Sequence, residues 1–172
     1  MYALVVLLLI IGIIAVLPGS PAEDAEKMMA ARARATAEQM VAHQLAAVSS
    51  ITPAEIVMLP PGVVSQSQIT FPDWYTAAPK FTTTTDSNNL LVTYYAADPT
   101  LWGAMASVLA KRGNETVNGG RIRGGALTGT IVKSPTGAYL QTQTKLAAKI
   151  TLPAAVVASA PSGAPAIVSV IE

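Results

Sequence analysis

Few residues of this chain are of a type and spacing that could do chemistry. The single histidine, His43, falls on a predicted helix with no carboxylate near it in sequence. It therefore lacks the partner that general-base work needs, and a surface or helix-packing role is expected for it. Asp73, Asp86, Asp98 and Glu115 are scattered singly among turns and helix ends, where aspartate is favoured for backbone reasons, and none has metal-ligand spacing. The absence of cysteine excludes disulfides, thiolate nucleophiles and cysteine-type zinc sites. Gly119 to Gly125 carries glycine without the order of a phosphate loop or a dinucleotide fingerprint. No catalytic residue, metal or cofactor is expected, and the chain is not read as an enzyme. The remaining candidates are Lys111, Arg112, Arg121 and Arg123. A fold could bring them into one basic patch for lipid headgroups or an acidic partner; the alternative is that they are solvated loop charges.

The elements that must position these residues begin with a run that has no charge at all. Met1 to Leu17 is uncharged, and Pro18-Gly19-Ser20 follows at once. As a helix it would rise about 25 Å, the short end of what crosses a hydrocarbon core. It is read as an uncleaved transmembrane anchor in the lipid bilayer, with Met1, Leu4, Val5, Leu8, Ile11, Ile14 and Leu17 facing lipid. A removed signal peptide would want Lys or Arg ahead of the apolar core, and a buried core helix would need the rest of the chain around it. Lys27, Arg32 and Arg34 follow the run, but so do Glu23, Asp24 and Glu26, so charge alone does not set the orientation.

Pro21 to about Ser49 reads as one long amphipathic helix. Ser20 can cap it, Pro21 suits its first turn, and Glu23, Asp24 and Glu26 meet the positive end of its dipole. Met29, Ala33, Ala37, Met40, Val41, Leu45 and Val48 recur at helical spacing and form a narrow, alanine-rich packing face. That face is expected to lie on the chain's own domain, the alternative being association with other copies or partners. The organisation is then a 1–19 anchor, a 20–50 amphipathic helix and a 51–172 globular domain.

The rest of the chain alternates strand and turn signals. Ile51-Thr52-Pro53 stops the helix, and Ile69 to Tyr75 reads as an aromatic turn packed on the core. Phe81–Thr85 and Leu90–Ala96 flank Asp86-Ser87-Asn88-Asn89 and predict a hairpin. Asp98-Pro99 opens a short helix, with Lys111 and Arg112 in its last turn and Gly113 as its stop. Leu127–Lys133 and Ala138–Thr142 flank the turn Ser134-Pro135-Thr136-Gly137, Lys145–Leu152 reads as either helix or strand, and Ala166–Ile171 ends the chain as a strand. The sum is an α+β chain: an N-terminal transmembrane helix continuing into a long amphipathic helix, packed on a small, mostly antiparallel sheet of four or five strands, with one further short helix. A net charge of +1, from 11 Lys and Arg against 10 Asp and Glu, gives no electrostatic case for nucleic acid.

In this order the segments resemble those of the small PilM proteins of conjugative-plasmid type IVB (thin) pilus systems. The resemblance runs through the uncharged N-terminus, the Ala/Gln/Arg helix, Phe71-Pro72-Asp73-Trp74-Tyr75 and Leu91-Val92-Thr93-Tyr94-Tyr95. It continues through Leu109-Ala110-Lys111-Arg112-Gly113, Gly129-Thr130-Ile131-Val132-Lys133-Ser134 and Leu152-Pro153-Ala154-Ala155. It implies a single-pass, inner-membrane, pilin-like component required for type IV pilus biogenesis. It further implies that the soluble domain faces the periplasm and acts by protein–protein contact with pilus-assembly proteins or pilins. The alternative is an extracellular filament subunit, self-associating through residues 1–49. Against an ordinary major pilin stands Val5, at the position where pilins carry a glutamate that helps subunits register.

Overall fold

The computed structural model describes residues 21–51, 62–75, 81–86, 90–116, 121–122, 126–142 and 149–170. The chain divides after Ala31 into two units. Helix α1, Pro21–Ser50, begins in the first and ends in the second. In the first unit Glu23 and Asp24 occupy the first turn, where acidic side chains complement the helix dipole. Lys27 lies 3.9 Å from Asp24, and Met28 and Met29 are exposed.

The second unit is built on one antiparallel sheet. Strands β1 (Gly62–Val63), β2 (Phe81–Thr85), β3 (Leu90–Tyr95), β5 (Ala126–Ser134), β6 (Gly137–Gln141), β7 (Lys149–Thr151) and β8 (Pro165–Val170) run in the order β1-β2-β3-β8-β5-β6-β7. Strand β4 (Arg121–Ile122) pairs with Ala126 and Leu127 of β5, along the edge that β6 takes further on. The chain's last strand, β8, is therefore central, held between β3 and β5. Helices α2 (Trp102–Thr116) and α3 (Ala154–Ser159) complete the described elements, together with short 3-10 turns at Gln66–Gln68 and Pro99–Leu101.

Period-2 alternation gives the sheet two unlike faces. Phe81, Tyr95, Ala126 and Ile167 point to α1 and α2 and share a core with Leu101, Met105 and Leu109. Val92, Tyr94, Leu140, Ala166 and Val168 point the other way and are covered by Leu152, Val156 and Ala160 at α3. The α3 helix touches both β2 and β6, so it lies across the strands between them.

Local chemistry explains the turns. Asp86 closes the β2–β3 hairpin by accepting the Leu90 N–H at 3.0 Å on its side chain, while its own N–H donates to the Leu90 carbonyl. Asp98 caps the 3-10 turn ahead of α2 through the Thr100 N–H at 3.1 Å. Gly137, at φ 147°, supplies the backbone conformation that the β5–β6 turn requires.

Several expectations are corrected. Among the described residues no helix is long and apolar enough to cross a membrane. Helix α1 carries Lys27, Arg32, Arg34 and Glu38 along its length, and its buried face is mostly alanine and polar. The expected anchor residues Met1, Leu4, Val5, Leu8, Ile11, Ile14 and Leu17 lie outside the described residues. Among the described residues the sheet has eight strands rather than four or five: two-residue β1 and β4 carry too short a pattern to be read, and β7 falls in the Lys145–Leu152 stretch that reads as either helix or strand. Among the described residues the further helices are two, since α3 follows Pro153 in a six-residue stretch without room for helical periodicity. Gly113 does not end α2, which runs on to Thr116.

Among the described glycines, Gly129 on β5 has backbone packed against the place of a side chain. A Cβ there would overlap the Gln141 carbonyl oxygen and sit 2.9 Å from the carbonyl carbon. Gly129→Ala must push β6 away from β5, and is expected to destabilise by about 1–3 kcal/mol. A lowered urea midpoint with an unchanged slope is the signature.

Candidate functional site

The candidate site is the face of α1 that meets the sheet, together with the charged surface that α1 and α2 leave in solvent. The buried stripe runs Ala33, Ala37, Met40, Gln44, Ala47 and Ile51, a strict three- and four-residue spacing. Of the seven residues predicted for this face, Ala33, Ala37 and Met40 are buried, Val41 is half-buried against the same core, and Val48 is half-buried against a second cluster with Ala46, Ala47 and Ile51. Met29 and Leu45 are exposed, Leu45 at 46%. Their predicted places are taken by His43, Gln44, Ala46 and Ala47. Two polar residues lie inward because the sheet beneath them is lined with hydroxyl groups.

His43 is 1% exposed. Its Nδ1 lies 3.1 Å from the Tyr75 hydroxyl and its Nε2 lies 3.0 Å from Thr83 Oγ1. Thr83 in turn lies 2.8 Å from Thr93 Oγ1 across the β2–β3 ladder. The ring packs against Phe71 and Phe81, at centroid distances of 5.0 and 5.5 Å. Burial lowers the His43 pKa to about 4 and raises the Tyr75 hydroxyl to about 12. At neutral pH the imidazole is thus uncharged, donating from one nitrogen and accepting at the other. Hydroxyls and aromatic rings contact it; no carboxylate among the described residues does so. At the next position along α1, Gln44 Nε2 donates to the Leu91 carbonyl at 3.2 Å and to Ser169 Oγ at 2.8 Å. The Gln44 side chain thereby fastens α1 to β3 and β8.

A segment of the chain closes over His43. Ser65 and Gln68 form a reciprocal capping box at the 3-10 turn. The Thr70 N–H then donates to Ser50 Oγ at 2.7 Å, and Ser50 donates to the Ala46 carbonyl. Phe71 and Tyr75 stack at 4.6 Å with 12° between their planes. Trp74, expected to pack in the core or at its edge, is 72% exposed; it meets Tyr75 only edge-on, at 6.2 Å.

On the outer surface, Glu38 of α1 accepts from Arg112 of α2 at 2.8 Å and from Arg34 at 3.3 Å. The Arg112 hydrogen bond, then that of Arg34, lowers the Glu38 pKa. Arg32 lies 3.6 Å from Asp98. Of the predicted basic patch, Lys111 and Arg112 are exposed on α2, and Arg121 falls in β4, which lies against α2. Arg123 lies outside the described residues. The Arg112 charge is shared with Glu38, so the surface is of mixed sign. Sequence reasoning missed the His43 network. The usable signals were the Thr82–Thr85 run, whose alternate hydroxyls must face something polar, and the Phe71/Tyr75 spacing.

No protein-family model, curated protein or solved structure matches this chain.

Two expectations follow from this packing. The His43 pKa is lower in the fold than its unfolded value of 6.5, so the unfolded chain binds the extra proton first. Its contribution is complete above about pH 6.5 and is lost as pH falls towards 4. Urea unfolding at pH 7.5 and 5.0 should show wild type losing stability over this interval, with a smaller loss in His43→Gln. Ala37 is 1% exposed between α1 and the sheet. Ala37→Leu should cost about 1–3 kcal/mol by overpacking, whereas exposed Leu45→Ala should stay within about 0.5 kcal/mol. Denaturant midpoints of the two variants check this contrast.

Proposed function

We propose that the chain is a non-catalytic component of type IV pilus biogenesis that works through protein–protein contacts. Its folded unit would act at the periplasmic side of the bacterial inner membrane. The observation that carries this reading is the ordered set of segments from the Ala/Gln/Arg helix to Leu152-Pro153-Ala154-Ala155, whose resemblance to the PilM proteins spans the chain. The geometry supports a contact role in a second way. The His43 imidazole, the Gln44 amide nitrogen and the Thr83 hydroxyl are engaged in packing α1 on the sheet. The groups left outward are a charged helical surface of Arg34, Glu38, Lys111 and Arg112. The uncharged sequence from Met1 to Leu17 and the resemblance supply the membrane part of the reading.

Deletion of the coding sequence in a pilus-bearing host, with fractionation of sheared pili and membranes, tests the proposal. The expected outcome is loss of assembled pili, with the complementing protein in the inner-membrane fraction and pilus-assembly proteins co-purifying with it. Lys111→Glu combined with Arg112→Glu should weaken that co-purification without altering the fold. Recovery of the chain in the filament would make it a subunit instead, and pili assembled normally in its absence would overturn the proposal.

A further inference from the structure

The segment from Ser65 to Tyr75 holds to the rest of the molecule in an unusual way. It is not part of the strand ladder. Its hydrogen bonds to the folded unit are those of Thr70 with Ser50 and of Tyr75 with His43, beyond the Val64 N–H that donates to Thr83. The Tyr75 N–H returns to the Pro72 carbonyl at 2.8 Å, making the segment's end a local turn. Its apolar grip comes from Ile69 with Ala46, Ala47, Ile51 and Leu91, joined by Phe71. Phe71 and Tyr75 also lie on the imidazole of His43. The segment is thus a strap fastened across the second half of α1, and its central fastening is a titratable ring.

We propose that this strap is an acid-released latch: protonation of His43 opens residues 65–75 from α1 while the sheet and its helices stay folded, exposing the aromatic underside of the strap.

The argument rests on what surrounds the ring. On α1 the adjacent side chain, Gln44, is turned to β3 and β8, and Glu38 is taken up at the outer surface by Arg34 and Arg112. From β2 come Phe81 and the Thr83 hydroxyl, from β3 the Thr93 hydroxyl behind it, and from the strap Phe71 and Tyr75. Asp73, the strap's one carboxylate, is exposed. No acidic group among the described residues is therefore in contact to compensate an imidazolium, and burying it unpaired is costly. Burial of the ring lowers the His43 pKa, in keeping with the cost of a charge held there. Protonation also turns both ring nitrogens into donors, so the hydroxyl that donated to the ring must reverse and find another acceptor.

Release of the strap is the least expensive way to let water reach the charge. Opening it breaks the Thr70–Ser50 and Tyr75–His43 hydrogen bonds, the ring contacts of His43 with Phe71 and Tyr75, and the apolar contact of Ile69 with the end of α1. Exposing His43 from the other side would require separating α1 from β2, β3 and β8. Segments outside the ladder open at lower free energy than the strands beneath them. The Phe71 and Tyr75 rings, uncovered together with Ile69, would then form an apolar surface at low pH that neutral conditions keep shut.

Amide hydrogen exchange on the full chain, in mild detergent, at pH 7.0 and 4.5 and corrected for intrinsic rates, tests this. Protection of the Thr70 N–H, which is bonded to Ser50 of α1, should fall by about tenfold or more at pH 4.5, while that of Val92 and Val168 in β3 and β8 persists. His43→Gln, which keeps a neutral donor and acceptor, should make strap protection independent of pH. Tyr75→Phe should lower strap protection already at pH 7.0. Unchanged protection at Thr70 in wild type, an equal fall in His43→Gln, or a fall shared by β3 and β8 would each overturn the latch.

Discussion

The packing of α1 against the face of the sheet that carries Phe81, Thr83, Leu91, Thr93 and Ser169 is the constraint on which the rest depends. Alanine at 33, 37, 46 and 47 is buried along the helix, where small side chains leave room beside the longer His43 and Gln44. Those two side chains reach the hydroxyl-lined strands. A stripe of larger residues would have kept the helix further away and left those hydroxyls without partners, at a cost of about 1–3 kcal/mol for each unsatisfied buried group. Small side chains and buried polar groups are therefore one feature of this interface rather than two.

The same interface orders parts of the chain that have no ladder of their own. The Ser65–Tyr75 strap depends on Ser50 and His43 for its position. The α1–α2 contact depends on Met40 and Ala37 meeting Met105 and Leu109, with Glu38 linking to Arg112 at the rim. An exposed ion pair of this kind contributes about 1 kcal/mol or less. The apolar contact beneath holds the two helices; the charges tune the surface they present. On the opposite face, α3 and the Leu152–Ala164 region complete a separate cluster, so each face of the sheet has its own core.

At this interface the His43 imidazole, the Gln44 amide nitrogen and the Thr83 hydroxyl are engaged in fastening helix to sheet. Gln44 Oε1 is buried there without a hydrogen-bond partner among the described residues. On the outer side Arg34, Glu38 and Arg112 make a surface of mixed sign across α1 and α2, and the Trp74 indole is exposed.

Much of the fold was legible because it is encoded locally. The hairpin of β2 and β3, the Asp98 cap, the Ser134–Gly137 turn and the helical span from Pro21 follow from turn chemistry, β-branched runs and capping residues that act over a few positions. The strands β1 and β4 and the helix α3 were not legible, since two to six residues carry no measurable period. The central place of β8 was also hidden: only long-range pairing puts the last strand between β3 and β5. For the site, sequence marked Ala33, Ala37 and Met40, because burial of small apolar residues needs only helical spacing. It could not mark His43 or Gln44. A polar side chain goes inward only when partners wait for it, and those partners, Tyr75, Thr83, Leu91 and Ser169, come from 32 to 125 residues away. Sequence by itself determined which segments form helix, strand and turn; the tertiary structure decided which polar groups are buried, because that choice belongs to the partners and not to the residue.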